Sequence, residues 1–367
     1  GQVGPQIAEL LDFPILTGVT ELHRGHSDHL DATVETDAGS ETWAIALPAV
    51  MSVRRGPPAP AVLPEPGPAA IQTVTVDELS GNPRDFGTRG SPTFVAEIRP
   101  ANKPRCAELI CDTAQAVEQL AALIDAAPAQ TEDALSPARF DHLTGATPKT
   151  QREIWVIVEQ LSDGTIHTTS LEGLACARSV ATTLQAATVA VIPCGPLALT
   201  YQPHILWRHG ADRVLALVGD SLTECSADSY VQHLSEALAN SRPIAVIAPF
   251  SAKGRDYLPR IAARLQLGLT GDFTALEVRG ADSDDPDLLW LKPALSRAVS
   301  AAVIARTTPS LGTLRPGSFP PLMLRREGTG PAVEMRSVGP PTGSRQPHRT
   351  DEHIEVSACG RLASSPV

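Results

Sequence analysis

Ile154-Trp155-Val156-Ile157-Val158 is a run of apolar residues with no polar alternation, and Thr188–Ile192, Val214–Val218 and Pro243–Ala248 follow it in the same style. Strands of that composition are covered on both faces, as in a parallel sheet. Between and after them, Leu171–Leu184, Leu197–His209, Ala227–Leu238 and Gly254–Leu267 carry apolar residues three to four apart, seen clearly in Tyr257, Leu258, Ile261, Ala262 and Leu265. The order β-α-β-α-β-α-β-α predicts an α/β fold built on a doubly wound, mainly parallel sheet. In such a sheet a ligand sits outside the carboxyl ends of the strands.

Working outward from this core, the chain repeats itself. At a constant offset of 254, Pro5, Ile7, Ala8, Leu11, Thr20 and Leu22 recur as Pro259, Ile261, Ala262, Leu265, Thr274 and Leu276. Six identities in that short window exceed the roughly one that chance supplies. Farther on, Ser52-Val53-Arg54-Arg55-Gly56-Pro57 and Thr313-Leu314-Arg315-Pro316-Gly317-Ser318 read as one exit turn used twice. The N-terminal block therefore repeats the end of the 151–320 domain. The four strands and three helices that precede that end in the second copy have no counterpart in the first. The expectation is one complete domain plus a partial copy, with Gly1 falling where a strand hands over to a helix, as though the chain were cut from something longer.

Other stretches have the opposite character. Gly56–Ala70 holds six prolines and predicts an extended loop, and residues 321–367 mix Pro, Gly, Ser and Arg with little periodicity and predict a disordered tail. Residues 104–150 read as a helix, Pro104–Ala127, followed by a linker. The 367 residues carry 30 Lys+Arg against 41 Asp+Glu, a net charge of −11. That balance argues against nucleic-acid binding and against an anionic membrane surface. The longest apolar runs fall far short of the roughly 20 residues that cross a bilayer, so membrane insertion is not expected. Six cysteines without a C-x-x-C pair or a regular framework suit a reducing, cytoplasmic setting.

A pair of similar α/β domains, each ending in a helix, a hairpin and an exit strand, resembles the electron transfer flavoproteins. Residues 1–103, from Gly1-Gln2-Val3-Gly4-Pro5-Gln6-Ile7-Ala8-Glu9-Leu10-Leu11 through Leu47-Pro48-Ala49-Val50 to Leu63-Pro64, are similar to the C-terminal half of the family's beta subunit. Residues 151–320 are similar to the N-terminal domain of its alpha subunit. The resemblance there rests on Ile154–Glu159 with Ser170-Leu171-Glu172, on Gly210-Ala211-Asp212-Arg213, and most specifically on Ala252–Asp256 through Leu267-Gly268-Leu269-Thr270-Gly271-Asp272. It implies a Rossmann-like fold of the adenine nucleotide alpha hydrolase type. It also implies a beta-to-alpha fusion that carries electrons from a flavin-dependent dehydrogenase to a downstream acceptor, with FAD as cofactor and AMP as a candidate second one. The alpha subunit's second domain, which holds most FAD contacts, and the beta subunit's front half have no counterpart here. Arg55-Gly56-Pro57-Pro58 stands where the family has Asn-Glu-Pro-Arg, so an incomplete flavin site is expected, and the sequence leaves open whether a separate FAD-domain chain completes it. A degenerate paralogue acting as a scaffold is the alternative.

Candidate sites follow. Gly1, Gln2, Val3 and Gly4 open a helix whose free amides favour an anion; by resemblance this turn takes the AMP phosphate, and by composition alone it is an ordinary helix start with Pro5 in its first turn. The counterpart Ser251-Ala252-Lys253-Gly254-Arg255 is expected to be structural. Leu63 is the residue that the resemblance makes a docking leucine for the partner dehydrogenase. Gly219-Asp220-Ser221-Leu222-Thr223 matches the nucleophile turn of a GDSL-type serine hydrolase, but the tail offers only Asp351-Glu352-His353 as partners, with the wrong spacing. A capped turn is the expected reading. His23, His26 and His29 beside Asp28 and Asp31 raise a metal site, set against a solvated hairpin. Asp85-Phe86-Gly87 stands without any other kinase motif. No residue is expected to be catalytic.

Overall fold

The computed structural model describes residues 1–25, 28–37, 39–54, 72–79, 81–100, 152–161, 164–196, 202–223, 227–281, 286–295, 299–323, 330–340 and 348–354, with residues 117, 118, 121 and 283. The first block runs α1 (Val3–Leu11), β1 (Ile15–Arg24), β2 (His29–Glu35), β3 (Gly39–Ala46) and β4 (Val50–Val53), and β5 (Thr93–Pro100) follows. The second runs β6 (Glu153–Ile157), α2 (Thr168–Leu184), β7 (Ala187–Cys194), α3 (Gln202–Arg208), β8 (Arg213–Val218), α4 (Ala227–Ser241), β9 (Ala245–Pro249) and α5 (Gly254–Leu265). It continues through β10 (Leu269–Phe273), β11 (Ala275–Arg279), β12 (Asp287–Ala294), β13 (Val299–Ala305) and β14 (Ser310–Leu314), then β15 (Ala332–Ser337) and β16 (His348–Ile354).

The predicted doubly wound sheet is present. Its order is β10-β14-β9-β6-β7-β8-β15, and every neighbouring pair is parallel. The bare apolar strands have the predicted cause, for alternate residues of β6 feed two different cores. Ile154 and Val156 pack with Leu174, Ala177 and Val180 of α2. Trp155 and Ile157 pack with Leu234 of α4 and with Tyr257, Leu258 and Ile261 of α5. The hairpin β11–β12 closes the first of these cores, where Phe273 meets Trp290 edge-on at 4.8 Å. Gly312 on β14 is required there, because a Cβ would overlap the Trp290 ring.

The tail departs from expectation. Residues 332–337 form β15, the seventh strand, paired in parallel with β8, and residues 348–354 form β16, paired antiparallel with β3. Periodicity reading looks for a buried face, and β15 is an edge strand with both faces largely solvated; main-chain pairing and the Arg213–Glu334 ion pair (2.6 Å) hold it. The Pro-rich loop 56–70 and nearly all of the helix pattern 104–127 lie outside the described residues.

The internal repeat is structural as well as textual. α1 and α5 both end on a left-handed residue at the same offset, Asp12 (φ 53°) and Gln266 (φ 54°). Gly18 (φ 74°) and Asp272 (φ 63°) mark the same bulge, where the β1–β4 and β10–β14 ladders slip. The units pack α1 against α5 and exchange strands. β5, from the chain beyond β4, pairs with β13, while β16, from the chain beyond β14, pairs with β3. Even the irregularity matches: the first ladder slips between Ala302 and Val303, the second opposite Thr42 and Trp43. The result is a pseudo-two-fold pair of units within one chain.

No helix among the described residues is long and apolar enough to cross a membrane.

Candidate functional site

The start of α1 lies where the two units meet. Gln2 stands at the N-cap in helical conformation, without a side-chain cap, and no acidic residue occupies the first turn. The first intrahelical bond runs from the Gln6 N–H to the Gln2 carbonyl at 3.2 Å, and Pro5 has no N–H to offer. The amides of Gln2, Val3 and Gly4 thus have no intrahelical acceptor, as at any helix N-terminus. Gly4 packs against Ser52 of β4, and the Gln2 side chain reaches across to Gly271 on β10 of the other unit.

A cleft of about 260 Å³ opens beside this turn, lined by Gly1, Gly18, Thr36, Ser52, Arg54 and Arg255 with the carboxylates Glu35 and Asp37. Gly18 suits its place there, since its φ is positive and a Cβ would press on the Glu35 carbonyl at 3.3 Å. The charges are unequal in availability. Arg54 is paired with Glu35, and Asp37 accepts from the Ala252 N–H at 2.8 Å. Arg255 donates from Nε to the Ser251 carbonyl at 3.2 Å and lies 5.3 Å over the Phe250 ring, with no carboxylate in ion-pair range among the described residues. Of the opening turn only Gly1 is among the cleft's lining residues, which set two guanidinium groups beside two carboxylates.

The equivalent turn at α5 is closed by the protein itself. Besides Asp37 on the Ala252 N–H, Ser251 Oγ accepts from the Gly254 N–H at 2.7 Å. Tyr257 donates its hydroxyl proton to Glu159 Oε1 at 3.0 Å, and the Glu159 N–H donates to Ser170 Oγ at 3.0 Å. Burial pushes the Glu159 carboxyl above the usual carboxylate range, against the attraction of Lys253. This is the crevice between β6 and β9 where strand order reverses, the place an open α/β sheet offers a ligand. Glu159 and Tyr257, both buried, meet there.

Between the units runs an ion-pair cluster that sequence reading missed, because its members come from three helices. Arg260 meets Glu9 of α1 (3.2 Å), Asp256 (3.5 Å) and Asp228 of α4, while Arg264 meets Glu9 at 2.6 Å. Burial pushes the Asp256 carboxyl up to about 6, with Arg260 opposing that and Asp228 adding to it.

The remaining candidates separate cleanly. Ser221 sits in the turn after β8, its Oγ 3.4 Å from His233 Nε2 of α4 and donating to the Gly339 carbonyl at 3.2 Å. His233 was not foreseen as its neighbour. Two of the turn's amides are spent within it, Leu222 N–H on the Gly219 carbonyl and Thr223 N–H on the Asp220 carbonyl. Asp351 and His353 belong to β16, in a different sheet. The turn has no side-chain cap, and Ser221 instead clips the segment after β15. His23 is exposed on β1 near Glu21, His29 begins β2, and no cluster able to hold a metal occurs among the described residues; His26 lies outside them. Leu63 also lies outside them.

Comparison with known proteins adds the family. A model of the electron transfer flavoprotein domain matches residues 1–79 and 154–338. The chain is similar to electron transfer flavoprotein subunit alpha of Clostridium acetobutylicum, with 34% identity over 167 residues, covering 45% of this chain and 48% of that one. It is also similar to the subunit of the same name from Megasphaera elsdenii, with 30% identity over 188 residues, covering 50% and 53%. A third relative is the LctC subunit of lactate dehydrogenase (NAD(+),ferredoxin) from Acetobacterium woodii, with 27% identity over 165 residues, covering 45% and 38%. The chain spans about half the length of the curated relatives it matches. With both repeated units inside the matched residues, the chain belongs to the electron transfer flavoprotein domain family and is homologous to its alpha subunits.

Proposed function

We propose that this chain is part of an electron carrier, passing electrons from a flavin-dependent dehydrogenase to a downstream acceptor, in which a beta-like back half (residues 1–103) is fused through residues 104–150 to an alpha-like domain (residues 151–320). The observation that carries this reading is the family match over both blocks, joined to the pseudo-two-fold pairing of the two units. FAD is the cofactor implied. Ligand cavities for molecules of that class run to about 300–1,000 Å³. The described residues offer a polar cleft of about 260 Å³ and a second crevice already filled by Glu159 and Tyr257. A space of that size is smaller than a whole flavin needs. On this reading the flavin site is completed by polypeptide outside the described residues, such as a separate FAD-domain chain, and the turn Gly1–Gly4 takes the AMP phosphate.

Equilibrium dialysis of the purified chain against AMP and against FAD tests this. Saturable AMP binding is expected, weakened at least about tenfold in Gly4→Asp, which sets a carboxylate among the first-turn amides. A chain that is colourless and takes up neither ligand overturns the electron-carrier reading. It would leave the second one, a degenerate paralogue acting as a scaffold, which the self-filled crevice between β6 and β9 favours. Leu63→Ala is expected to weaken binding to the partner dehydrogenase on the first reading. Ser221→Ala is expected to leave any esterase background unchanged.

A further inference from the structure

The seven-stranded sheet ends on β15, and among the described residues no strand pairs with its outer edge. The Val338 N–H donates to the Val218 carbonyl at 2.8 Å, so Arg336 and Glu334, at even spacing before it, also turn their peptide groups toward β8. Val333, Met335 and Ser337 therefore turn theirs outward. The side chains of these three share one face, where Val333 is 44% and Met335 68% exposed. Glu334 and Arg336 stand on the other face, joined to each other at 2.7 Å, and Arg213 of β8 holds Glu334 at 2.6 Å.

Charges on an edge strand commonly keep a further strand away. Their order here does the reverse for one occupant, a second copy of β15 running antiparallel. Outward peptide groups have to meet outward peptide groups, so the two-fold axis passes through a residue of the strand. An axis at residue 334 sets Glu334 against its own copy, and one at residue 336 does the same to Arg336; like charges directly opposite repel. Only an axis at Met335 sets each Glu334 against Arg336 of the other copy, in a non-hydrogen-bonded pair whose side chains lie close. That register also uses every outward group of the strand. Met335 exchanges two hydrogen bonds with its copy, and Val333 and Ser337 exchange two more at each end. Val333 and Met335 of both copies then gather on one face. The pairing is isologous and closes on itself.

We propose that the chain forms a homodimer through β15, two seven-stranded sheets joining edge to edge in antiparallel register about Met335. A contact of one short strand per copy lies at the small end of interface sizes, so the dimer is a weak one. The inference rests on this edge and not on the electron-carrier reading, so either can fail alone.

Sedimentation velocity of the full chain from about 1 to 200 μM follows the equilibrium, and a dimer is expected to grow in with concentration. Met335→Lys, on an exposed side chain, sets two ammonium groups together at the axis. It is expected to raise the dissociation constant at least about tenfold at an unchanged melting temperature. Cross-linking reads the register. In Met335→Cys the two thiols stand on residues whose Cα atoms lie about 5.5 Å apart in a hydrogen-bonded antiparallel pair, within disulfide range. Diamide oxidation is expected to link that variant to its copy through residue 335, as identified by peptide mass spectrometry. Val333→Cys sets the thiols about 14 Å apart along the strands and is expected to stay unlinked. A chain that is monomeric at about 200 μM, a dimer indifferent to Met335→Lys, or linkage at residue 333 as strong as at 335 overturns the proposal.

Discussion

Asp256 offers a direct test of how the units are held together, because two accounts of it predict opposite signs. It lies in the cluster formed by Arg260, Glu9 and Asp228, and also accepts a hydrogen bond from Thr17 of the first unit. If it were a stabilising partner of Arg260, removing its charge would cost about 3–5 kcal/mol, as breaking a buried pair does. The geometry argues otherwise. Its contact with Arg260 is long at 3.5 Å, and Arg260 keeps Glu9 and Asp228 without it. Burial lifts the carboxyl from 3.8 to about 6, so the folded state holds the proton more tightly than the unfolded chain. The cost of ionising it in the fold is therefore absent below about pH 3.8 and complete above about pH 6, on the order of 3 kcal/mol by linkage. Asp256→Asn should raise stability at about pH 7.5 by roughly 1–3 kcal/mol, and the difference from the parent should shrink as the pH falls toward about 4. Urea unfolding followed by the fluorescence of buried Trp155 and Trp290 measures both. A loss of about 3 kcal/mol or more at pH 7.5 refutes the reasoning and makes Asp256 a working member of the cluster.

Three further outcomes are expected. Asp212→Ala removes the carboxylate that Arg178 reaches at 2.6 and 2.7 Å in a buried setting, and should cost about 3–5 kcal/mol in urea unfolding. Gly312→Ala forces a Cβ into the Trp290 ring and should cost at least about 1–3 kcal/mol by overpacking, so an unchanged melting temperature would show that the β12–β14 contact is looser than described. Gly219→Ala sets a Cβ 2.6 Å from the Val338 carbonyl and should loosen the segment after β15; exchange of the β15 amides should quicken while that of β6 stays put.

What the sequence disclosed follows from where its signals are strong. The buried strands of the second unit were visible because both of their faces are apolar, and each predicted run lies within a residue or two of an observed strand. The repeat was visible because α1 and α5 share their inward residues: Pro5 and Ala8 are buried like Pro259 and Ala262. β5, β15 and β16 were not visible as sheet members, since edge strands are held by main-chain hydrogen bonds that leave no apolar pattern. The same limit applied to the site. Glycine and Pro5 signalled the helix start, but Asp37 on the Ala252 amide and Glu9 on Arg260 join residues more than 200 positions apart, through side chains that read as surface charges.

The pseudo-symmetry bears directly on function, because it is broken at the two helix N-termini that lie beside the exit strands. Both units present a helix N-terminus beside the exit strand, with the same bulge at Gly18 and Asp272. In the second unit the Ala252 amide is taken by Asp37, a residue of the first unit, and the space beneath it by Glu159. Two carboxylates thus stand where an anion would have to sit, and a phosphate arriving there would meet repulsion as well as a filled crevice. In the first unit no acidic residue lies in the first turn of α1, and the cleft beside it holds Glu35 paired with Arg54 and Asp37 bound to the Ala252 amide, with Arg255 reaching in from the other unit. The strand exchange that ties the units together also brings Arg255 and Asp37 to the junction, so closing one site and furnishing the other are two results of one interface. A ligand bound to this chain is therefore expected at α1 alone. Asp37→Asn would leave the α5 turn filled by Glu159 and Ser251, and AMP would gain no second site; two AMP per chain in that variant would refute the argument.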